Sequence, residues 1–186
     1  MPLSSPEVLP SVRPLRRVEY DQLVGLGAFT DERIELLDGV LVPVSPIGGR
    51  HSRTVGRLGE LLVVAMVGKA CVLVQSPFAA GDLSEPEPDL SVSPLSGDDD
   101  VHPEQAHLIV EVAESSVSID RGRKARLYAE CRVPEYWVVN LVARHVEVYT
   151  EPVGGVYQRV TVYEKGSRIR LEEFPELHIA VDDFLK

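Results

Sequence analysis

The chain has 186 residues, 44% hydrophobic and 26% charged, with a formal net charge of −10. This suits one soluble globular domain with an apolar core, and its longest apolar run, Leu61 to Val67, is too short to span a bilayer. The acidic balance argues against a broad electrostatic grip on nucleic acid, which needs clustered Lys and Arg, but leaves room for a local basic cleft.

Residues 1–16 are rich in proline and weakly patterned, so they read as a mobile tail, with a single domain over 17–186. No charged segment followed by an apolar core opens the chain, so no secretory signal is expected and the compartment reads as cytoplasmic. "RRVEYDQLVGLG" predicts a short helix ending at glycine. "RIELLDGVLVPVS" predicts a hairpin around Asp38-Gly39, with Leu37 facing Val40 and Glu35 facing Val42. Val55, Leu58, Leu61, Leu62, Ala65 and Met66 recur at helical spacing and predict an amphipathic helix.

"ACVLVQSPFA" and "EPDLSVSP" read as strands. "AHLIVEVA" is apolar on both faces, as a central strand covered on both sides should be. A helix is expected from about Ser118 through "ARLYAEC". "EYWVVNL", "HVEVYT", "VYQRVTVY" and "RIRL" read as an antiparallel meander, closed by a strand and helical turn in "HIAVDDFL". The expected class is α/β (α+β): a mixed β-sheet flanked by helices. Cys71 and Cys131 read as reduced, buried thiols of a cytosolic protein rather than a disulfide or zinc site.

Three carboxylates interrupt apolar strands: Glu35, Asp89 and Glu111. A desolvated charge is costly there, and clustered acids repel one another and take up protons. A hard divalent cation such as Mg2+, with Mn2+ able to substitute, removes both problems. On the helix from Ser118, Asp120, Lys124, Leu127, Tyr128 and Cys131 share one side, so Lys124 points toward the sheet. There its charge could orient an attacking water or offset charge in the transition state. The plainer alternatives are a carboxylate paired with arginine or capping a loop, and a lysine whose stem lies along an apolar face. His51 opens the amphipathic helix and reads as a cap or a site residue, and His107 as structural. Arg50, Arg53, Arg57, Arg121 and Arg123 lie near two helix starts. With His51, they are the candidates to contact nucleic acid. The Gly48-Gly49 pair is a weak phosphate-loop signal. No GxSxG or HExxH pattern occurs.

The succession "RIELLDGVLV", "SPIGGRHSRTVGRLGELL", "EPDLSVSP", "HLIVEVAESS" and "DRGRKARLYAECRVPEYWVVN" resembles the Uma2-like restriction endonuclease family, also filed as domain of unknown function 820. The likeness runs from about Arg17 to Lys186. That family is similar to the PD-(D/E)xK nucleases, which implies a restriction-endonuclease-like core. The resemblance makes Pro88-Asp89 the "PD", with Asp89 and Glu111 as metal ligands and Glu35 as the additional acid. The superfamily's lysine position, two after the second acid, is Ala113 here, and Lys124 matches the family's displaced lysine. Glu114, in "AESS", adds a charge near the site. The implied function is a magnesium-dependent phosphodiester hydrolase, a DNA endonuclease using a metal-activated water. DNA and a second copy of the chain are the implied partners, with no membrane. The alternative is a catalytically silent nuclease-fold module for binding or oligomerisation.

Overall fold

The computed structural model describes residues 12–44, 47–96, 98 and 100–186. Most of the expected tail (residues 1–11), Ser45-Pro46 and two positions of the acidic 96–100 loop lie outside the described residues. Helix α1 (Arg17–Gly25) leads into a hairpin of β1 (Ile34–Leu37) and β2 (Val40–Pro43). The hairpin closes because Asp38 and Gly39 both take positive φ, 49° and 74°, as a type I′ turn requires. Its register pairs Leu37 with Val40 and Glu35 with Val42. Gly39 is needed twice over, since a Cβ there would collide with Pro14, and Leu15 donates its N–H to the Gly39 carbonyl at 3.0 Å.

Helix α2 (Gly49–Met66) follows, then β3 (Ala70–Val74), β4 (Leu90–Pro94), β5 (Leu108–Ala113), β6 (Glu135–Asn140), β7 (His145–Val153) and β8 (Val156–Glu164). These six strands form one sheet in that order. Neighbours run antiparallel except β5 and β6, which are parallel. A parallel pair needs a crossover. Here it contains α3 (Val117–Ile119), a π-helical turn (Asp120–Lys124) and α4 (Ala125–Glu130).

The crossover puts α4 on one face of the sheet, and α2 covers the other. Leu58, Leu62 and Met66 of α2 pack with Leu90, Val110, Trp137 and Val139 on one face. Tyr128 of α4 packs with Ile109, Ala113, Tyr136 and Val138 on the other. All six residues of β5 are buried. Among the described residues, no helix is long and apolar enough to cross a membrane.

Two expectations are corrected here. "RIRL" does not extend the meander: β9 (Arg168–Arg170) pairs with β10 (His178–Ala180) in a separate two-stranded sheet, next to α5 (Val181–Phe184). Ile169 and Ile179 thereby join the α2-side core, which an outer strand beyond β8 could not reach. The cysteines are not buried thiols either. Cys71 is exposed because β3 is an edge strand, and Cys131 is half-buried just past α4.

Glu135 heads β6 as a further buried acid. Its carboxylate accepts Trp137 Nε1–H at 2.6 Å and Glu172 N–H at 2.8 Å. Burial outweighs both and pushes its pKa from 4.5 up to about 7. An acid whose folded pKa is raised stabilises fully below its unfolded pKa and loses that contribution as pH rises through the folded one. Glu85, pushed up to about 7 by burial and by Asp21, adds slope of the same sign. Thermal unfolding in EDTA should therefore show stability falling between pH 4.5 and about 7. Glu135→Gln should flatten that fall, removing a pH-dependent difference of ~3 kcal/mol. An identical slope in the variant would exclude Glu135 as its source.

Candidate active site

Four elements bring the charged residues together. The β1–β2 hairpin carries Glu35, the segment entering β4 carries Asp89, β5 carries Glu111, and the π-helical turn carries Lys124. Leu90 pairs with Val110 across β4 and β5, so Asp89 falls one step along, opposite Glu111. Alternation along β5 sends Glu111 to the α4 side with Ile109 and Ala113. All four are buried, at 4%, 8%, 5% and 6% exposure for Glu35, Asp89, Glu111 and Lys124. They line one cleft of about 430 Å³.

Lys124 Nζ donates to Glu35 Oε1 and to Glu111 Oε1, each at 3.0 Å. Tyr128 O–H adds a bond to Glu111 Oε1 at 2.8 Å, and Glu87 N–H one to Glu35 Oε1 at 3.0 Å. Asp89 stands apart from the lysine. Its Oδ2 accepts Val112 N–H at 2.8 Å and contacts His51 Nε2 at 3.0 Å, while its Oδ1 accepts the Gln75 amide at 3.3 Å.

The profile of the Uma2 family, described as "Putative restriction endonuclease", matches residues 17–182. The chain belongs to the Uma2 family. A crystal structure described as a "putative nuclease belonging to DUF820" from Anabaena variabilis shares the fold, with a TM-score of 0.73 at 18% identity. The match covers 92% of this chain and 98% of that one. No curated protein matches at a significant level.

The electrostatics of this Uma2 cleft follow from burial. Desolvation raises the Glu111 pKa well above the usual carboxylate range; Lys124 opposes this, while Asp120, Asp89 and Glu35 reinforce it. Burial works against the Lys124 ammonium, yet Glu111, Glu35 and Asp120 together hold its pKa above that of an ordinary lysine. The lysine therefore stays charged. Burial also raises Asp120, against the pull of Lys124 and of the Ser116 hydroxyl, which donates to it at 2.6 Å. The hydrogen bond to Asp89 raises His51. Six carboxylates line the cleft (Glu35, Glu87, Asp89, Glu111, Glu114 and Asp120) against Arg33, Lys124 and His51. Arg33 is already paired with Glu87 at 3.1 Å.

The expected basic cleft is not what the structure assembles. Of the proposed nucleic-acid contacts, only His51 lines the cleft. Arg50 donates to the Leu141 carbonyl, and Arg121 forks onto Glu147, with its Nε at 2.8 Å. Arg123 is tied to Asp38 at 2.8 Å and to the Leu37 carbonyl at 2.7 Å. Arg53 is exposed and Arg57 half-buried on α2, both outside the cleft lining. The reason is local: neighbouring carboxylates and carbonyls claim three of the five guanidinium groups.

Several residues in or against the cleft escaped the sequence reading. Asp120 and Tyr128 lay on the stripe that identified Lys124, but nothing in the pattern set them apart as site residues. Gln75 left no signal beyond a polar residue ending an apolar run. The expected continuous helix is broken by the π-helical turn, a form found mostly as single turns and frequently at functional sites. It buries Asp120 and Lys124 together. Beyond its own helix nothing would touch a side chain at Gly122, so packing does not explain that glycine.

The donors fit a hard divalent cation in kind. Glu35 and Glu111 each keep an Oε2 free of hydrogen bonds among the described residues, and carboxylate oxygen is what Mg2+ or Mn2+ prefers. Among the described residues, no three His, Cys, Asp or Glu side chains are drawn close enough to hold an ion. The Lys124 ammonium supplies the neutralising charge between Glu35 and Glu111 instead.

Proposed function

We propose that this chain is a divalent-metal-dependent phosphodiesterase, a DNA endonuclease. The observation that carries the reading is Asp89 and Glu111, buried opposite each other in the lining of one cleft, with a charged lysine 3.0 Å from Glu111. The description of the Uma2 family supports the same class of chemistry. Asp89, Glu111 and Glu35 would hold the cation, Mg2+ with Mn2+ as a substitute. When bound, it would polarise the phosphate and lower the pKa of a water.

The chain's own residues do the rest. Lys124 holds a fixed positive charge beside Glu111, able to orient the attacking water or offset charge developing on phosphorus oxygens. Tyr128 and the Glu87 N–H fix the two glutamates. An acidic cleft repels a polyanion, so productive binding of the phosphodiester requires neutralisation of the carboxylates. The fold over 17–186 acts as one domain, and cutting both strands would suit a two-fold homodimer.

The test is cleavage of supercoiled plasmid, single-stranded DNA and RNA in parallel, with Mg2+ or Mn2+ and with EDTA. The expected result is metal-dependent nicking of DNA that EDTA stops. A second reading, a silent nuclease-fold module, is favoured by one observation: Lys124 already neutralises the two glutamates. Neither cleavage nor metal uptake on any substrate would decide for it.

A further inference from the structure

We propose that Gln75 is a positioning residue that fixes the plane of the Asp89 carboxylate and leaves it one free lone pair, on Oδ1; the inference rests on the metal-dependent reading above. A carboxylate has about four lone-pair sites, two on each oxygen. On Asp89, Oδ2 uses both of its sites, for Val112 N–H at 2.8 Å and His51 Nε2 at 3.0 Å. Oδ1 uses one, for the Gln75 amide at 3.3 Å. One lone pair of Oδ1 remains, in a cleft that Gln75, Asp89 and Glu111 line together. The amide must present its N–H end, because a carboxylate only accepts.

The backbone at Gln75 is unusual in the same direction. Its φ is +46°, a conformation that residues other than glycine seldom adopt and that persists where the surroundings impose it. In that conformation Gln75 N–H donates to the Asp89 carbonyl at 3.1 Å, so backbone and side chain of one residue both hold Asp89. β3 ends at Val74, one residue earlier. The turn out of the edge strand thus brings the amide onto the carboxylate. Gln75 touches no reacting atom in this scheme. It fixes the plane of Asp89 and the direction of its remaining lone pair.

The test is calorimetric titration of Mn2+ into wild type, Gln75→Asn, Gln75→Met and Asp89→Ala. Asparagine tolerates positive φ but is one methylene too short to reach Oδ1. Methionine keeps the length and loses the donor. Both should weaken Mn2+ binding by about 10- to 100-fold, the usual effect of losing a group that orients a metal ligand. Gln75→Asn should do so without lowering the thermal midpoint, which a purely structural role would move. Wild-type Mn2+ affinity in Gln75→Asn, with binding lost in Asp89→Ala, overturns the role of Gln75 alone. Absence of saturable binding in the wild type overturns the metal reading and this inference with it.

Discussion

Asp89→Asn and Glu111→Gln are each expected to lower metal-dependent cleavage by at least about a thousandfold, equivalent to about 4 kcal/mol of transition-state stabilisation. Both changes preserve shape, so the loss should come without unfolding. At position 89 the new amide can place its oxygen toward Val112 N–H and His51 and its nitrogen toward Gln75, whose own amide can turn to accept. At position 111 the glutamine oxygen can still accept from Lys124 and Tyr128. Burial already pushes the Glu111 carboxyl toward its neutral form, so removing its charge relieves desolvation. Each variant should therefore melt close to wild type, since Lys124 keeps Glu35 as its partner in Glu111→Gln, while its activity falls below detection in a plasmid assay. Retained cleavage in either variant would remove that residue from the metal site. Loss of cleavage with a collapsed melting transition would show only that the residue is structural.

Local pattern made part of this site legible. Asp38-Gly39 fixed the hairpin register, and through it the inward placement of Glu35. The double-sided apolar run identified the buried strand that carries Glu111, and helical spacing put Lys124 on the sheet side. What stayed hidden depends on partners remote in the chain. Arg123 meets Asp38 across a separation of 85 residues, and Arg121 meets Glu147 across 26. Periodicity reports which face a residue occupies, not which carboxylate waits there, so the arginines read as free when three of them were engaged. Gln75 was hidden for the same reason. Its importance lies in a positive φ and in Asp89, 14 residues further on. "RIRL" carried a strand signal, but nothing local distinguishes an outer strand of the main sheet from a separate pair.

Lys124→Met should destabilise the metal-free protein by about 3–5 kcal/mol, the usual cost of removing one partner from a buried ion pair. Methionine keeps most of the stem's volume, so the loss is chiefly of charge. Glu35, Glu111 and Asp120 would then share a buried region without the ammonium that offsets them. Glu111, already raised by burial, would rise further and fold as the neutral acid. Because its folded pKa lies above the unfolded one, the variant's stability should fall as pH increases, more steeply than that of wild type. A divalent cation should restore part of the loss. At a hundredfold excess over Kd, binding to the native state alone adds about 2.7 kcal/mol. In wild type the same ion would have to compete with Lys124 for Glu35 and Glu111, so it should stabilise less. Thermal melts of both proteins in EDTA and in Mg2+ or Mn2+ make the comparison directly. A larger metal-induced rise in the variant would mean that ammonium and cation serve the same carboxylates. Equal rises would separate the lysine from the cation-binding carboxylates, and no rise in either protein would favour the silent module.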